Sequence, residues 1–301
     1  MNSREEAAAA VYKELYREGV QVLTPVLNEE REAQLDTRLL LEYVCGTNLQ
    51  TLILDGDRPV SAQEAALFRE YVARRKNREP LAYILGEWDF MGLSFEVSPD
   101  VLVPEQDTEN LIEEIMKDLH DSDRILDLCT GSGCILLSLL KYSNGTTGVG
   151  TGTTGVGTDL SKRALAMAKR NAERLGLTDR VDLRCGDLFA PIGENEKFDI
   201  IVSNPPYIKT ETIEHLAPEV RDHEPMMALD GGEDGLTFYR RIIPEAVRHL
   251  VTGGYLFLEI GYDQGDAVAA LMRDAGYYDV RTIKDYGGND RIVCGIKSIR
   301  Q

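Results

Sequence analysis

The sequence predicts an α/β fold: a mostly parallel sheet covered by helices on both faces, preceded by a small N-terminal helical bundle. Three observations predict it. Apolar residues recur at helical spacing over roughly the first quarter of the 301-residue chain, strand-sized apolar runs alternate with helical segments from Asp107 onward, and a short stretch rich in aromatic residues and glycine separates the two regimes.

From Glu5 to about Arg78 the pattern is helical, with Leu39, Leu40, Tyr43 and Val44 recurring at three- and four-residue intervals. Ser61 followed by Glu64 is a capping-box signature that opens a helix running to about Lys76, and Pro80 falls just past its end. The stretch Leu81–Val103 mixes Gly86, Trp88, Phe90, Gly92 and Phe95 in short alternating runs, which suits a hairpin joining two domains. The expected division is a helical domain over 1–84, a hairpin linker over 85–103 and a second domain over 104–301. In that second domain Arg124–Leu128 reads as a strand and a helix follows from Gly133. Val181–Cys185, Phe198–Ser203, Tyr255–Ile260 and Arg291–Ile296 read as further strands. Active sites of such sheets sit at the carboxyl ends of the strands.

Gly145–Thr151 reads GTTGVGT, and Gly152–Thr158 repeats the same seven residues. The repeat falls where the second strand of the sheet is due, so two copies compete for one slot, and they differ in phase relative to Asp159 because seven is odd. Only the second copy leaves Asp159 at the strand end. It is therefore expected in the sheet, while 145–151 loops out as a surface insertion with fast-exchanging amides, at little cost in loop entropy.

Bulk properties narrow the function. Acidic residues outnumber basic ones by 51 to 33, a formal net charge of −18 that repels a nucleic-acid backbone unless a local basic patch overrides it. Apolar stretches such as Gly254–Ile260 are far shorter than the ~20 residues of a membrane span. The segment Met1–Ala10 carries acids and alanines where a secretory signal has a basic patch and an apolar run, so a cytoplasmic location is expected. Five scattered cysteines, Cys45, Cys129, Cys134, Cys185 and Cys294, without CxxC spacing read as reduced thiols. Four histidines, His120, His215, His223 and His249, show no metal-ligand spacing, and no Ser/His/Asp or Cys/His set is evident.

The chemistry is carried by strand ends. Asp127-Leu-Cys-Thr-Gly-Ser-Gly133 closes one strand and opens a helix, and its glycines let the backbone approach a ligand that larger side chains exclude, as at a nucleotide or adenosyl site. Asp159 ends the next strand, where a carboxylate accepts both hydroxyls of a ribose. Taken alone, a strand-end Asp before Ser161 is more often a helix cap. The turn Gly186-Asp187-Leu188 places a carboxylate near an adenine amino group with an apolar side chain against the ring, although in isolation it is an ordinary turn. Asn204-Pro-Pro-Tyr207 follows the strand Phe198–Ser203. A planar amide or amino nitrogen is a poor nucleophile because its lone pair is delocalised, so an enzyme that alkylates it must hold it in line and polarise its N–H bonds. The Asn204 side-chain oxygen and the Pro205 carbonyl are suitable acceptors, consecutive prolines stiffen the loop, and Tyr207 is expected against the amide plane.

With these residues the chain resembles the HemK/PrmC family of protein-(glutamine-N5) methyltransferases over nearly its whole length. Gly86-Glu-Trp-Asp-Phe90 with Gly92 is similar to the family's interdomain hairpin, Val103-Pro-Glu-Gln-Asp-Thr-Glu109 to its entry into the catalytic domain, and Val202-Ser-Asn-Pro-Pro-Tyr-Ile208 to its catalytic loop. Val220-Arg221, Glu224-Pro225, Ala228-Leu-Asp-Gly-Gly232, Asp234-Gly-Leu236, Asp285-Tyr-Gly and Asp290-Arg291 match as well. Asn-Pro-Pro-Tyr alone is shared with DNA adenine methyltransferases; the combination is specific. The resemblance implies a Rossmann-like, seven-stranded class I methyltransferase domain behind the helical bundle. It implies S-adenosylmethionine as cofactor, S-adenosylhomocysteine as its product, and the glutamine of the Gly-Gly-Gln motif in class 1 peptide chain release factors as substrate.

By the same resemblance Asn204, Pro205, Pro206 and Tyr207 bind the glutamine, with Asn204, Pro205 and Tyr207 catalytic. Cys129, Thr130, Gly131, Gly133, Asp159, Asp187, Leu188 and Asn204 bind the cofactor, and no metal is expected. The resemblance implies that the helical domain recognises the release factor, although a bundle of this size is equally consistent with a stability cap, and the protein is expected to act as a monomer without nucleic acid or membrane. Three departures stand out: Cys129 replaces the first glycine of the cofactor loop, Glu105 replaces a common arginine, and the span from Asp127 to Asp159 is longer by the seven duplicated residues. Two other readings compete: an adenine-N6 methyltransferase on DNA or RNA, which the acidity opposes, and a cofactor-binding scaffold inactivated by the duplicated strand.

Overall fold

A computed structural model describes residues 10–27, 29–143 and 152–298 of the chain. In chain order the elements are α1 (Tyr12–Leu27), α2 (Glu30–Cys45), α3 (Leu49–Leu54), α4 (Ala62–Lys76), α5 (Leu81–Leu85), β1 (Glu87–Phe90), β2 (Leu93–Glu96), α6 (Gln106–Asp118), β3 (Arg124–Leu128), α7 (Cys134–Tyr142), β4 (Thr154–Asp159), α8 (Lys162–Leu175), β5 (Val181–Cys185) and β6 (Phe198–Ser203). Then follow α9 (Pro218–His223), α10 (Met226–Leu229), α11 (Thr237–His249), β7 (Leu250–Glu259), α12 (Gly265–Asp274), β8 (Tyr277–Lys284) and β9 (Asp290–Lys297). The chain divides into two compact units, one comprising 1–86 and 218–223, the other 87–217 and 224–301.

The helical unit packs α1, α2 and α4 around Leu15, Leu23, Leu40, Leu41 and Phe68, all fully buried. The capping box at Ser61 and Glu64 is present, with each side chain bonded to the other's backbone N–H. Arg75 is buried among three carboxylates, at 2.6 Å from Asp36, 3.1 Å from Glu32 and 2.9 Å from Glu219, and Arg78 holds the second oxygen of Glu219 at 2.7 Å. Three acids around one guanidinium satisfy a charge that would otherwise be costly to bury. Through Glu219, the short helix α9 is thus a part of this unit although it lies far along the chain.

The second unit holds a seven-stranded sheet in the order β5-β4-β3-β6-β7-β9-β8, parallel except for β9, which runs antiparallel to both β7 and β8. Alternate side chains of its central strands enter two cores, one on each face. Leu126, Ile201, Leu256 and Leu258 face Ile242 and Ile243 of α11 and Val268 of α12, whereas Ile125, Ile200, Val202 and Phe257 face α6 and α7. The strand order reverses beside β3, with β4 on one side and β6 on the other, and this is where ligands enter such sheets.

The second copy of the repeat is the strand: β4 pairs Val156 with Leu126 of β3 and Asp159 with Cys185 of β5, so Asp159 ends it as expected. The expected surface loop at 145–151 lies outside the described residues. Three expectations are corrected. Leu81–Leu85, read as part of a hairpin, is a helical turn, because Pro80 opens it, Gly86 closes it in a left-handed conformation, and Leu81, Ala82, Tyr83 and Ile84 are all buried. The strand expected from Tyr255 begins at Leu250, with a register shift across Gly253 and Gly254 that reads locally as a turn. The strand β8 was not anticipated, since this outermost strand of the sheet is largely exposed and shows no apolar alternation.

Candidate active site at the strand carboxyl ends

The carboxyl ends of β3, β4, β5 and β6 surround a cavity of about 530 Å³, within the usual range for a ligand pocket. Cys129, Thr130, Gly131, Asp159, Asp187, Leu188, Asn204 and Pro206 line it, so it unites residues from all four predicted strand-end segments. Gly133, Pro205 and Tyr207 lie outside the lining. Gly133 caps α7 at φ 80°, where a Cβ would press to 3.0 Å from Leu137 and 3.2 Å from Ala168, so it serves the strand-to-helix turn. Pro205 is buried.

The turn after β3 is closed by its own residues. Thr130 donates its hydroxyl to Asp127 at 2.6 Å, and the Gly133 N–H donates to the Thr130 carbonyl at 2.8 Å. Asp127 is fully buried with one carboxyl oxygen unpartnered, and burial pushes its pKa up to about 7. Asn171 of α8 fixes the turn from behind, donating to the carbonyls of Ser132 and Glu96, each at 3.0 Å. Cys129 sits at φ 60°, the conformation a glycine would adopt freely, and desolvation, with the nearby carboxylates Asp159 and Asp127, drives its thiol pKa up. A Cβ at Gly131 would meet nothing within 4 Å, so its backbone opens toward the cavity.

Asp159 accepts the Gly131 N–H at 2.9 Å and the Ser161 N–H at 2.8 Å. The cap of α8 is Ser161, which accepts from Ala164, so the alternative reading of Asp159 as a helix cap does not hold. Each carboxylate oxygen keeps lone pairs for further donors. Asp187 is held at 2.6 Å by Arg241 of α11, and Leu188 is buried at φ 49°.

The Asn204–Tyr207 loop is braced from downstream. The Ile208 N–H donates to the Leu229 carbonyl, the Gly231 N–H to the Ile208 carbonyl, and the Thr210 N–H to the Gly232 carbonyl. Tyr207 is half-buried, and desolvation, reinforced by the nearby acids Glu259 and Glu105, raises its pKa. Glu259 at the end of β7 is fully buried with neither carboxyl oxygen partnered, and burial lifts its pKa to about 8, opposed by Thr108 and Arg291. Glu224 is pushed to about 8 in the same way, aided by Glu105.

Sequence reasoning did not foresee that Asp100, Val101, Met226, Met227 and Phe238 share the lining. Five carboxylates, Asp100, Glu105, Asp159, Asp187 and Asp230, line the cavity, and no Lys, Arg or His does so among the described residues. Desolvation raises the pKa of Glu105, opposed by Arg291. Such a wall favours a cationic ligand and repels phosphate. S-adenosylmethionine, a sulfonium cation with an adenosyl group, fits this donor set: Asp159 and Asp187 offer acceptors for hydroxyl and amino groups, and Leu188 and Phe238 offer apolar surface. No described helix is long and apolar enough to cross a membrane.

Comparison with known proteins shows the family. The family model described as the PrmC N-terminal domain matches residues 14–86, and the methyltransferase small domain matches 104–220. A Caulobacter vibrioides protein named release factor glutamine methyltransferase is 43% identical over 269 residues, which cover 89% of this chain and 90% of the relative. Its namesake from Geobacter sulfurreducens is 44% identical over 263 residues, covering 87% of this chain and 89% of the relative. A Pyrococcus furiosus methyltransferase structure superimposes with a TM-score of 0.50 at 20% identity, covering 79% of this chain and 100% of that one, a likeness of fold.

Proposed function

The chain belongs to the family of release factor glutamine methyltransferases, and from that premise we propose how its cavity performs the reaction. The enzyme methylates a release-factor glutamine with S-adenosylmethionine as donor and S-adenosylhomocysteine as product, on a Rossmann-like class I methyltransferase fold. The target we propose is the side-chain amide nitrogen of the glutamine in the Gly-Gly-Gln motif of class 1 release factors. One observation carries the assignment of roles: Asn204 and Pro206 open into the same cavity as the cofactor turn, Asp159 and Asp187.

Asp159 accepts the ribose hydroxyls, Asp187 faces the adenine amino group with Leu188 against the ring, and Cys129, Thr130, Gly131 and Gly133 form the turn that admits the rest of the cofactor. Bound there, the cofactor supplies a sulfonium methyl group, whose transfer needs no metal and no nucleophilic residue. The Asn204 side-chain oxygen and the Pro205 carbonyl accept the two amide N–H bonds, which aims the nitrogen at the methyl and increases its electron density. Pro206 and Tyr207 complete the glutamine site, and the apolar side chains of Met226, Met227 and Phe238 limit water at the cavity wall. The surplus proton leaves to water after transfer. The carboxylate-lined wall supports a protein substrate over a nucleic acid, whose phosphates it repels. The helical domain recognises the release factor, and the enzyme acts as a cytoplasmic monomer.

The test is incubation of the purified protein with radiolabelled S-adenosylmethionine and either a release factor, its Gln-to-Ala variant in the Gly-Gly-Gln motif, or duplex DNA. Label on the wild-type factor alone is expected. Label on DNA would overturn the substrate, and bound cofactor without transfer would point to an inactive scaffold.

A further inference from the structure

We infer that Gln264 is a positioning residue for methyl transfer: its side-chain amide fastens the substrate loop through Tyr207 and thereby sets the two acceptors at Asn204 and Pro205. The inference rests on the roles proposed for those two residues.

Gln264 precedes α12, is 4% exposed and is absent from the cavity lining. Its Nε2 donates to the Tyr207 carbonyl at 3.0 Å and to the Gly235 carbonyl at 3.2 Å, while its Oε1 accepts the Gly261 N–H at 2.9 Å. The orientation of the amide follows from these partners, since two carbonyls require the NH₂ and one N–H requires the oxygen. Tyr239 supports it from below, with its hydroxyl donating to the Glu259 carbonyl at 2.8 Å and lying 3.4 Å from Oε1. One buried side chain therefore joins three segments, those following β6, preceding α11 and following β7.

The glycines around it make the close approach possible. A Cβ on Gly235 would stand 2.4 Å from the Tyr207 oxygen and 2.6 Å from Gln264 Nε2, and one on Gly231 would stand 2.7 Å from the Tyr207 Cα. Between Tyr207 and Asn204 lie only Pro205 and Pro206, whose rings fix φ. A shift at Tyr207 meets few soft torsions on the way, because the rings fix φ and a residue before proline is confined to extended ψ, so it is passed largely to the Pro205 carbonyl and to Asn204. An amide nitrogen that needs in-line alignment is sensitive to such a shift.

Gln264→Met fills the space without donors or acceptor, and Gln264→Glu keeps an acceptor for Gly261 while setting a carboxylate against two carbonyls. Both are compared with wild type for kcat and KM on the release factor, for S-adenosylmethionine affinity by calorimetry, and for amide exchange. The expected result is a fall in kcat of about 10–100-fold with cofactor affinity within about threefold of wild type. The Ile208 and Thr210 amides, bonded to Leu229 and Gly232, should exchange roughly tenfold faster or more. Wild-type exchange at those amides, unchanged kcat with a loosened loop, or cofactor affinity falling in step with kcat would overturn the proposal. Should Gln264→Met fail to fold, Gln264→Glu decides it. A wild-type enzyme inactive on every release factor would sink the functional reading, and the exchange rates would still decide whether Gln264 fastens the loop.

Discussion

The turn after β3 and the loop after β6 leave neighbouring parallel strands side by side, with Leu128 next to Ser203, yet they are held in different ways. The first closes on itself through Thr130 and Asp127, with Asp159 and Asn171 as outside anchors. The second depends on Leu229, Gly232 and, 57 residues away, Gln264. The cofactor side of the cavity is therefore a nearly self-contained motif, whereas the substrate side is assembled from segments that meet only when the domain is complete. Damage to the first should weaken binding, and damage to the second should slow turnover.

The largest expected effect tests that separation directly. Asn204→Ala removes one acceptor from the glutamine site and should lower kcat about 10²–10³-fold, with a much smaller loss of S-adenosylmethionine affinity, since Asn204 borders the cofactor as well. Asp159→Ala should do the reverse: cofactor affinity falls about 10–100-fold, in line with losing hydrogen bonds to a charged group, and turnover at saturating cofactor stays near wild type. Steady-state kinetics with calorimetry on both variants would break the comparison if affinity and turnover fell together in each.

A smaller effect comes from Glu259, which lies under the substrate loop with its pKa raised from 4.5 to about 8 by burial. The folded state then holds a proton that the unfolded chain releases between those values, so the contribution of this group to stability is fully present below pH 4.5 and declines as pH rises toward 8. The slope from this group is at most about 1.4 kcal/mol per pH unit. Glu259→Gln should flatten the curve in urea unfolding across that window, and an unaltered slope would show that the carboxyl is not protonated in the fold. Asp127, on the cofactor side, predicts the same sign over a narrower range, from 3.8 to about 7.

The smallest effect concerns the repeat. Removing 145–151 or 152–158 yields the same sequence, because the copies are identical. The shortened protein keeps the strand and its terminal Asp159, so its unfolding free energy and activity should match the parent to within roughly 0.6 kcal/mol. A large loss would mean that the extra residues contribute to the fold.

This contrast also explains what could be read from the sequence. Strand ends announce themselves locally: Asp127–Gly133 and Asn204–Tyr207 each follow an apolar run, and β4, a Gly/Thr-rich strand, could be assigned to the correct copy from the phase of Asp159. What escaped was non-local. Nothing near Gln264 signals its contact with Tyr207, and Met226 and Met227 gave no sign that they line the cavity. The outermost strand β8 has too little buried surface to impose a pattern, and Gly253-Gly254 hides the start of β7.

The placement of Pro218–His223 in the helical unit bears on how the gene can be recombined. A fragment ending at residue 86, where the matched N-terminal family domain stops, would leave Arg75 short of one of its three acids and Arg78 without the carboxylate that it pairs with here. The helical unit is thus encoded in two separate stretches, the shorter embedded within the reading frame of its neighbour. A chimera between two relatives would inherit a matched clasp only if both stretches came from the same parent.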